Sequence, residues 1–479
     1  MKYKFKTVPY EHQLEALKQS WNKPAYAFFM EMGTGKSKVL IDNIAILYDR
    51  GAINTAVIIA PKGVYLNWID KELPTHMPDH VECYTTLWKS SPTKRKQEAL
   101  MKLFTETDKL RILVINVEAF SSEKGRIFTE KLLQSTNSLI AIDESTTIKN
   151  PKANRTKSLL KISAHAKFRR ILTGFPITRS PLDFYTQFKF LDTHILGFQS
   201  YYSFQNHFAE IIQRSIGSHS FREVKGYRNL HELKTLTQAY SFRVLKKECL
   251  DLPDKIYNKH YVELTPEQNK LYKEMKKDAM AVLKDQETVT ATSVMTQLLR
   301  LHTMICGFVR NDQDEIIDID NNRIDAMMEL ISYMDGKVII WANYVHNIEK
   351  ITKALQKEYG GASVVSYYGD TDLDHRKSAI KEFQSDNEYP RFFVGNQMTA
   401  GYGITLTKAN NVIYYSNSFD LEKRLQSEDR AHRIGQENKV TYYDLTTKDT
   451  IDEKIVKSLR AKHDLAKQVL GDGFQAWLS

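Results

Sequence analysis

Short runs of consecutive apolar residues recur along the chain. After most of them, apolar positions return every three or four residues. The runs at 25–30 (AYAFFM), 55–60 (TAVIIA), 111–116 (RILVIN), 139–142 (LIAI) and 169–173 (RRILT) are of strand length. They predict strands buried on both faces, while 38–48 and 62–73 carry the helical period. A second series follows, with strands expected at 337–342, 363–368, 391–394, 412–415 and 440–445. Helices at 374–384 and 421–433 fall between these strands, and a closing helix spans 450–470. Strands alternating with helices predict βαβ units and parallel sheets. Residues 192–250 differ: they are rich in aromatic and basic residues, read as helical, and hold no run of buried-strand type. Within them Tyr201, Tyr202, Phe204 and Phe208 read as the core of a small helical layer, with a base-stacking platform as the alternative. Leu252-Pro253-Asp254 reads as a break, and 265–284 as a helix with Pro266 in its first turn. The expected fold class is α/β, in two domains: 1–255, with a helical insertion at about 192–250, and 256–479.

Length and composition narrow the class. A chain of 479 residues suggests two to four domains. Apolar residues at 42% and charged residues at 26% are the balance of a soluble globular protein. The longest apolar runs, such as 56–60, are far too short to cross a bilayer, so no membrane partner is expected. The opening MKYKFKTVPY has no apolar core of a signal peptide. Cys83, Cys249 and Cys306 lie far apart and form no CxxC, which indicates neither a zinc site nor a disulfide framework. A reducing cytoplasm is the expected location. The net charge of +10 points to a polyanionic partner, or to a basic surface that serves solubility.

The chemistry concentrates where strands end. The run 25–30 leads into Gly33-Thr34-Gly35-Lys36-Ser37 and then straight into a helix. Strand, glycine turn and helix N-terminus wrap backbone N–H groups around a phosphate. Gly33 and Gly35 let the backbone approach the anion, with Thr34 between them. Lys36 is expected to reach the β- and γ-phosphates of ATP, and the Ser37 hydroxyl to take a place on Mg²⁺. Met30 stands where such loops open with Gly. A glycine turn with an incidental lysine is the alternative, and the strand–turn–helix context argues against it.

Asp143-Glu144 ends another buried strand, the place where catalytic groups cluster in open α/β sheets. Asp143 is a candidate for Mg²⁺ and Glu144 for positioning the attacking water; an acidic turn is the alternative. In 421–436 (LEKRLQSEDRAHRIGQ), Gln426, Arg430 and Arg433 stand at i, i+4 and i+7 on one helical face. Two arginine forks there suit charge developing on a γ-phosphate. The alternative is a solvated face on which Glu422, Glu428 and Asp429 pair with the arginines. His12-Gln13 precedes the first strand, where Gln13 is a candidate reader of the adenine edge. Residues 399–403 end in Gly401-Tyr402-Gly403, a turn in which Gly403 is a candidate phosphate contact. Lys62, Trp68, Lys149, Arg155 and Lys157 follow strand ends and are candidate DNA contacts, with a solvated basic edge as the alternative for each.

In chain order, YEHQ, EMGTGKS, APKGVYLNW, VINVEAF, IDESTTIKN, ILTGFPI, VIIWANY, TAGYGITLT and LQSEDRAHRIGQ resemble the motifs of superfamily 2 helicases in their Snf2 form. The resemblance runs from about residue 8 to 460, and DRAHRIGQ is its most specific element. It implies two RecA-like lobes, with ATP and Mg²⁺ bound between them and hydrolysis stimulated by duplex DNA. On that resemblance Gln13 matches the adenine position, Lys36 and Ser37 the phosphate loop, Asp143 and Glu144 the magnesium and hydrolysis positions, and Arg430 and Arg433 the arginine fingers. The expected activity is translocation on duplex DNA. A strand-separating or annealing helicase, an RNA-dependent ATPase and a non-catalytic DNA-binding clamp are the alternatives. Three departures stand out: Ser145-Thr146 replaces the usual Ala-His after Asp-Glu, Phe175 replaces Thr in the TGTP motif, and Thr399-Ala400 replaces a typical Ala-Gly. The absence of long insertions suggests a minimal bacterial or bacteriophage member, in the cytoplasm of the cell or infected host, with DNA repair, replication or recombination proteins as partners.

Overall fold

The computed structural model describes residues 3–62, 64–106, 108–216, 219–285, 291–311, 313–369, 373–400 and 404–470. The chain divides into two compact units. One comprises Met1–Glu210, Gly226–Asp251 and Asp464–Ser479, the other Ile211–Lys225 and Leu252–His463. Among the described residues no helix is long and apolar enough to cross a membrane.

The first six strands are β1 (Ala25–Met30), β2 (Thr55–Ala60), β3 (Cys83–Leu87), β4 (Leu110–Asn116), β5 (Ser138–Asp143) and β6 (Phe168–Leu172). β7 (Ala209–Ile216) and β8 (His219–Tyr227) form a separate two-stranded sheet, and β9 (Ser241–Val244) rejoins the first six. The seven-stranded sheet runs in the order β3-β4-β2-β5-β6-β1-β9, every neighbouring pair parallel. β1, β2 and β5 are buried at every position, which is why they read as continuous apolar runs. The helix Lys36–Asp49 covers one face, packing Val39, Ile41 and Ile44 against Ile58, Ile112 and Leu139. Each such side chain contributes roughly 1.5–3 kcal/mol on burial.

The segment 192–250 departs from its helical expectation. It carries the helices Tyr201–Phe208 and Leu230–Gln238, but also β7, β8 and the edge strand β9. Its aromatic cluster is mainly core: Phe204 and Phe208 are fully buried with ring centroids 4.8 Å apart, whereas Tyr202 is exposed.

The second unit holds β10 (Lys255–Tyr261), β11 (Phe308–Arg310), β12 (Ile316–Asp318), β13 (Lys337–Trp341), β14 (Val364–Tyr367), β15 (Phe392–Gly395), β16 (Ala409–Tyr414) and β17 (Val440–Thr446). β11 and β12 pair antiparallel. The other six form a parallel sheet in the order β10-β17-β16-β13-β15-β14. Buried clusters lie on both faces, one around Ile348, Ile351 and Leu355, the other around Phe383, Leu406 and Tyr442. Arg323 is buried and anchors the closing helix Ile451–Leu470. Its guanidinium donates to Asp452 at 2.7 Å and to the carbonyls of Tyr415 at 2.7 Å and Leu445 at 2.8 Å. Each unit is thus a parallel sheet flanked by helices, the layout expected of RecA-like lobes.

Candidate functional site

The order β5-β6-β1 puts three strand ends side by side, and the turns after them meet at one carboxyl edge. After β1 comes the phosphate-loop candidate. Gly33 and Gly35 have φ of +84° and +86°, a conformation side chains disfavour, and Gly35 caps the helix that Lys36 opens. A Cβ on Gly35 would stand 2.1 Å from Gln13 Nε2 and would displace that amide, besides straining the positive φ. The Gln13 amide is itself buried. Its Nε2 donates to the Thr34 carbonyl at 3.0 Å and its Oε1 accepts the Tyr10 N–H at 3.1 Å. His12 Nε2 lies 2.8 Å from the same carbonyl, and the Thr34 hydroxyl donates to Glu31 O at 2.8 Å. The residues before β1 and the Thr34 side chain thus brace the loop from within.

After β5, Glu144 takes a left-handed conformation with φ of +52°, uncommon for a residue with a side chain. Its carboxylate is gripped from two sides. Lys36 Nζ lies 3.5 Å from Oε1, and Thr173, at the end of β6, donates to Oε2 at 3.1 Å. Asp143 is buried, with Trp68 Nε1 donating to Oδ2 at 3.0 Å and the Glu144 N–H to Oδ1 at 3.1 Å. Burial raises the Asp143 pKa to about 7, and the Glu144 charge adds to the rise, while Lys36 and the Trp68 N–H oppose it.

Trp68 needs correction as a DNA contact. It is 1% exposed, on a widened helical turn at Trp68–Glu72, and it serves the Asp143 carboxylate instead of a surface. Of the other candidate DNA contacts, Lys62 and Lys157 are exposed and Arg155 is half-buried. Lys149 is half-buried and donates to Thr178 Oγ1 at 2.6 Å. Thr173 was not singled out in advance, although it ends a recognised strand. Nor was Lys246, which is buried with Cε 3.7 Å from where a Gly33 Cβ would stand. Its backbone N–H donates to Glu31 at 2.8 Å, tying the loop to the end of β9; no spacing in the sequence signals that contact.

Among the described residues no cluster of three or more His, Cys, Asp or Glu side chains could hold a metal unaided. Asp143 and the Ser37 hydroxyl, the two candidate ligands, would supply only two oxygen donors. That fits Mg²⁺ shared with nucleotide phosphates and water better than an ion caged by protein alone.

In the second unit the helix Leu421–Ala431 starts at Asp420, whose side chain accepts the Glu422 N–H, and it is buried from Arg424 onward. This excludes the solvated face. Arg424 lies 3.6 Å over the Tyr414 ring and pairs with Asp444 and, at 2.8 Å, with Glu428. Glu428 also meets Lys255 at 3.2 Å and accepts the Tyr257 hydroxyl at 2.7 Å. Burial works against its charge, but Lys255 and Arg424 hold its pKa down to about 2. Arg430 is 1% exposed and donates to the carbonyls of Gln426 at 3.0 Å and Ile404 at 3.2 Å. Arg433 NH1 donates to Thr405 Oγ1 at 3.0 Å and lies 3.4 Å from the same Ile404 carbonyl. Both arginines thereby donate to the irregular stretch at Ile404 and Thr405; Gly403 itself lies outside the described residues. Gln426 is buried and donates to Glu422 at 3.4 Å.

A phosphate-loop lobe followed by a lobe carrying an arginine helix defines the helicase-like ATPase class of folds. The family model of the SNF2-related domain matches residues 12–308, and that of the helicase conserved C-terminal domain matches 322–435. The chain therefore belongs to the SNF2 family. It is 27% identical over 445 residues to an uncharacterized ATP-dependent helicase of Mycoplasma genitalium, covering 92% of this chain and 40% of that protein. It is 24% identical over 451 residues to YwqA of Bacillus subtilis, named as an ATP-dependent helicase/translocase, covering 92% of this chain and 46% of that protein. The chain thus spans less than half the length of these curated relatives. Among solved structures, the Sulfolobus solfataricus SWI2/SNF2 ATPase core in complex with dsDNA matches with a TM-score of 0.45 and 24% identity, over 99% of this chain and 95% of that one.

The Asp143 shift has a measurable consequence. The folded chain holds this proton up to about pH 7, against an ordinary value of 3.8. Between those values the folded state binds more protons than the unfolded one, so stability falls as pH rises through the window. Asp143→Asn stays neutral throughout and keeps an acceptor for Trp68. In thermal melts it is expected to exceed the parent protein at pH 8, with the gap closing as pH falls from about 7 towards 4. A gap that does not change with pH would contradict the assignment.

Proposed function

We propose that the chain is an ATP hydrolase stimulated by duplex DNA, and that it moves along the duplex by ATP-driven closure of its two lobes. The observation that carries this reading is the double grip on Glu144, by Lys36 from the end of β1 and by Thr173 from the end of β6. A carboxylate held at both oxygens has a fixed direction, which is what orienting an attacking water requires. Nucleotide phosphates at the loop 33–37 would compete with Glu144 for Lys36, leaving Thr173 on Oε2 to direct the carboxylate and Oε1 open to the attacking water. Ser37 and Asp143 would hold Mg²⁺, which supplies charge neutralisation on the phosphates. Gln13 serves the adenine side of the site while bracing the loop.

Arg430 and Arg433 are proposed as the fingers that offset charge on the γ-phosphate as the lobes close. Support comes from their confinement: a buried helix, a shared carbonyl at Ile404 and the Arg424–Glu428–Lys255 network leave the guanidinium forks little freedom. Family membership supports the choice of ATP. The name of the Bacillus subtilis relative, helicase/translocase, supports movement. Lys62, Lys149, Arg155 and Lys157 are proposed as contacts to DNA phosphates, which binding through charge would make independent of sequence.

Two sets of substitutions test the reading through ATP binding and turnover measured with and without duplex DNA. Lys36→Ala is expected to weaken nucleotide binding and abolish hydrolysis, and Glu144→Gln to keep binding and abolish hydrolysis. Turnover near the parent rate in either variant would contradict the site. Arg430→Ala and Arg433→Ala are each expected to lower turnover by up to ~10³-fold, with far less change in nucleotide affinity. A change in affinity alone would mark a ground-state contact.

A further inference from the structure

β2 and β5 lie side by side, with Ile59 opposite Ile142, so the chain leaving β2 starts out beside Asp143. It passes through the helical residues Tyr65–Asn67 into the widened turn Trp68–Glu72. Turns of this wide form are rare and are frequent at functional sites. The indole of Trp68 joins the buried cluster that includes Leu73 and Met77, and its polar end is left at the acidic strand end. There Nε1 donates to Asp143 Oδ2 at 3.0 Å, while Oδ1 accepts the Glu144 N–H at 3.1 Å. Among the described residues these are the two hydrogen bonds that the Asp143 side chain makes. Turning the carboxylate about its Cβ–Cγ bond would break both at once. Asp143 is buried, so little water is at hand to replace them.

We propose that Trp68 is a positioning residue that sets the choice of metal: by locking the Asp143 carboxylate it favours a small cation taken through one oxygen and disfavours a large one that needs both. This rests on the reading above in which Asp143 is a ligand of Mg²⁺. Mg²⁺ demands near-octahedral geometry and is usually held by one or two carboxylates, its other positions going to phosphate and water. Ca²⁺ is larger, accepts irregular shells and often takes both oxygens of a carboxylate. On Asp143 each oxygen already accepts an N–H, and a bidentate grip requires the group to turn. Trp68 opposes that turn from an indole fixed in the core. Without its N–H the carboxylate is held only by the backbone of its own neighbour and is free to present both oxygens. Donors that orient a ligand in this way tune the ion a site accepts.

The test reads binding as well as turnover. Mn²⁺ is the probe, because its free form gives an EPR signal that is lost on binding. It is titrated onto the full chain in the presence of ADP, and Ca²⁺ is then added to displace it; the same titration without protein gives the share held by ADP alone. Two variants are compared with the parent: Trp68→Phe, and Trp68→benzothienylalanine, which keeps the volume of the indole with sulfur in place of the N–H. The second keeps the test open if Trp68→Phe melts low. In both, the Ca²⁺ concentration for half displacement is expected to fall by about tenfold, the size of one hydrogen bond to a charged group, with far less change in Mn²⁺ affinity. Turnover with Mg²⁺ is expected to become correspondingly more sensitive to Ca²⁺. An unchanged ratio of Ca²⁺ to Mn²⁺ affinity in the folded isostere, including equal weakening of both ions, would overturn this inference alone. Mn²⁺ binding that Asp143→Asn leaves intact would overturn the metal reading of Asp143, and this inference with it.

Discussion

Asp143 is buried and Glu144 carries the next charge along the chain, so the pair needs cations and N–H donors fixed within reach. Much of the first unit serves that need. Lys36 comes from the helix after β1, Thr173 from the end of β6 and Trp68 from the helical segment after β2. Each partner belongs to a different strand–helix connection. The carboxylates are satisfied only when β1, β6, β5 and β2 lie in the observed order. The left-handed backbone at Glu144 belongs to the same constraint: it turns the carboxylate towards Lys36 and Thr173 instead of along the strand.

Sequence pattern located most central strands to within a residue or two, because strands buried on both faces are apolar throughout; β16 begins three residues earlier than expected, at Ala409, where Asn410 and Asn411 interrupt the apolar run. The pattern missed β3, β9 and β10, which lie at sheet edges. β3 is half-buried at every position, and β10 has one isoleucine among lysines, tyrosines, an asparagine and a histidine. The segment 192–250 read as helical for the same reason: β7 and β8 carry no apolar run. The phosphate loop, the acidic strand end and the arginine helix were all legible as motifs. Their partners were not. Trp68 looked like a surface aromatic because its contact, Asp143, is 75 residues away. Which strand end stands beside which depends on strand order, and no spacing along the chain encodes that β6 separates β1 from β5.

The second unit applies the same logic to cations. Arg424 is buried with Glu428 and half-buried Lys255 reaches the same carboxylate, and their mutual neutralisation lets a helix rich in charge sit inside the fold. Arg430 and Arg433, further along, donate to backbone carbonyls, which orient a guanidinium while leaving its charge intact. Lys255 opens β10, just beyond the break at 252–254, and His432 Nε2 lies 2.7 Å from the Pro253 carbonyl. The arginine helix is thus tied to the segment that opens β10.

The central claim is movement along duplex DNA driven by ATP, without separation of the strands. Two substrates compared at matched ATP turnover test it most directly: a duplex carrying a third strand in its major groove, and a forked duplex. A motor tracking an intact duplex displaces the third strand and leaves the fork closed, and that is the result the account requires. Efficient opening of the fork without displacement of the third strand would contradict it.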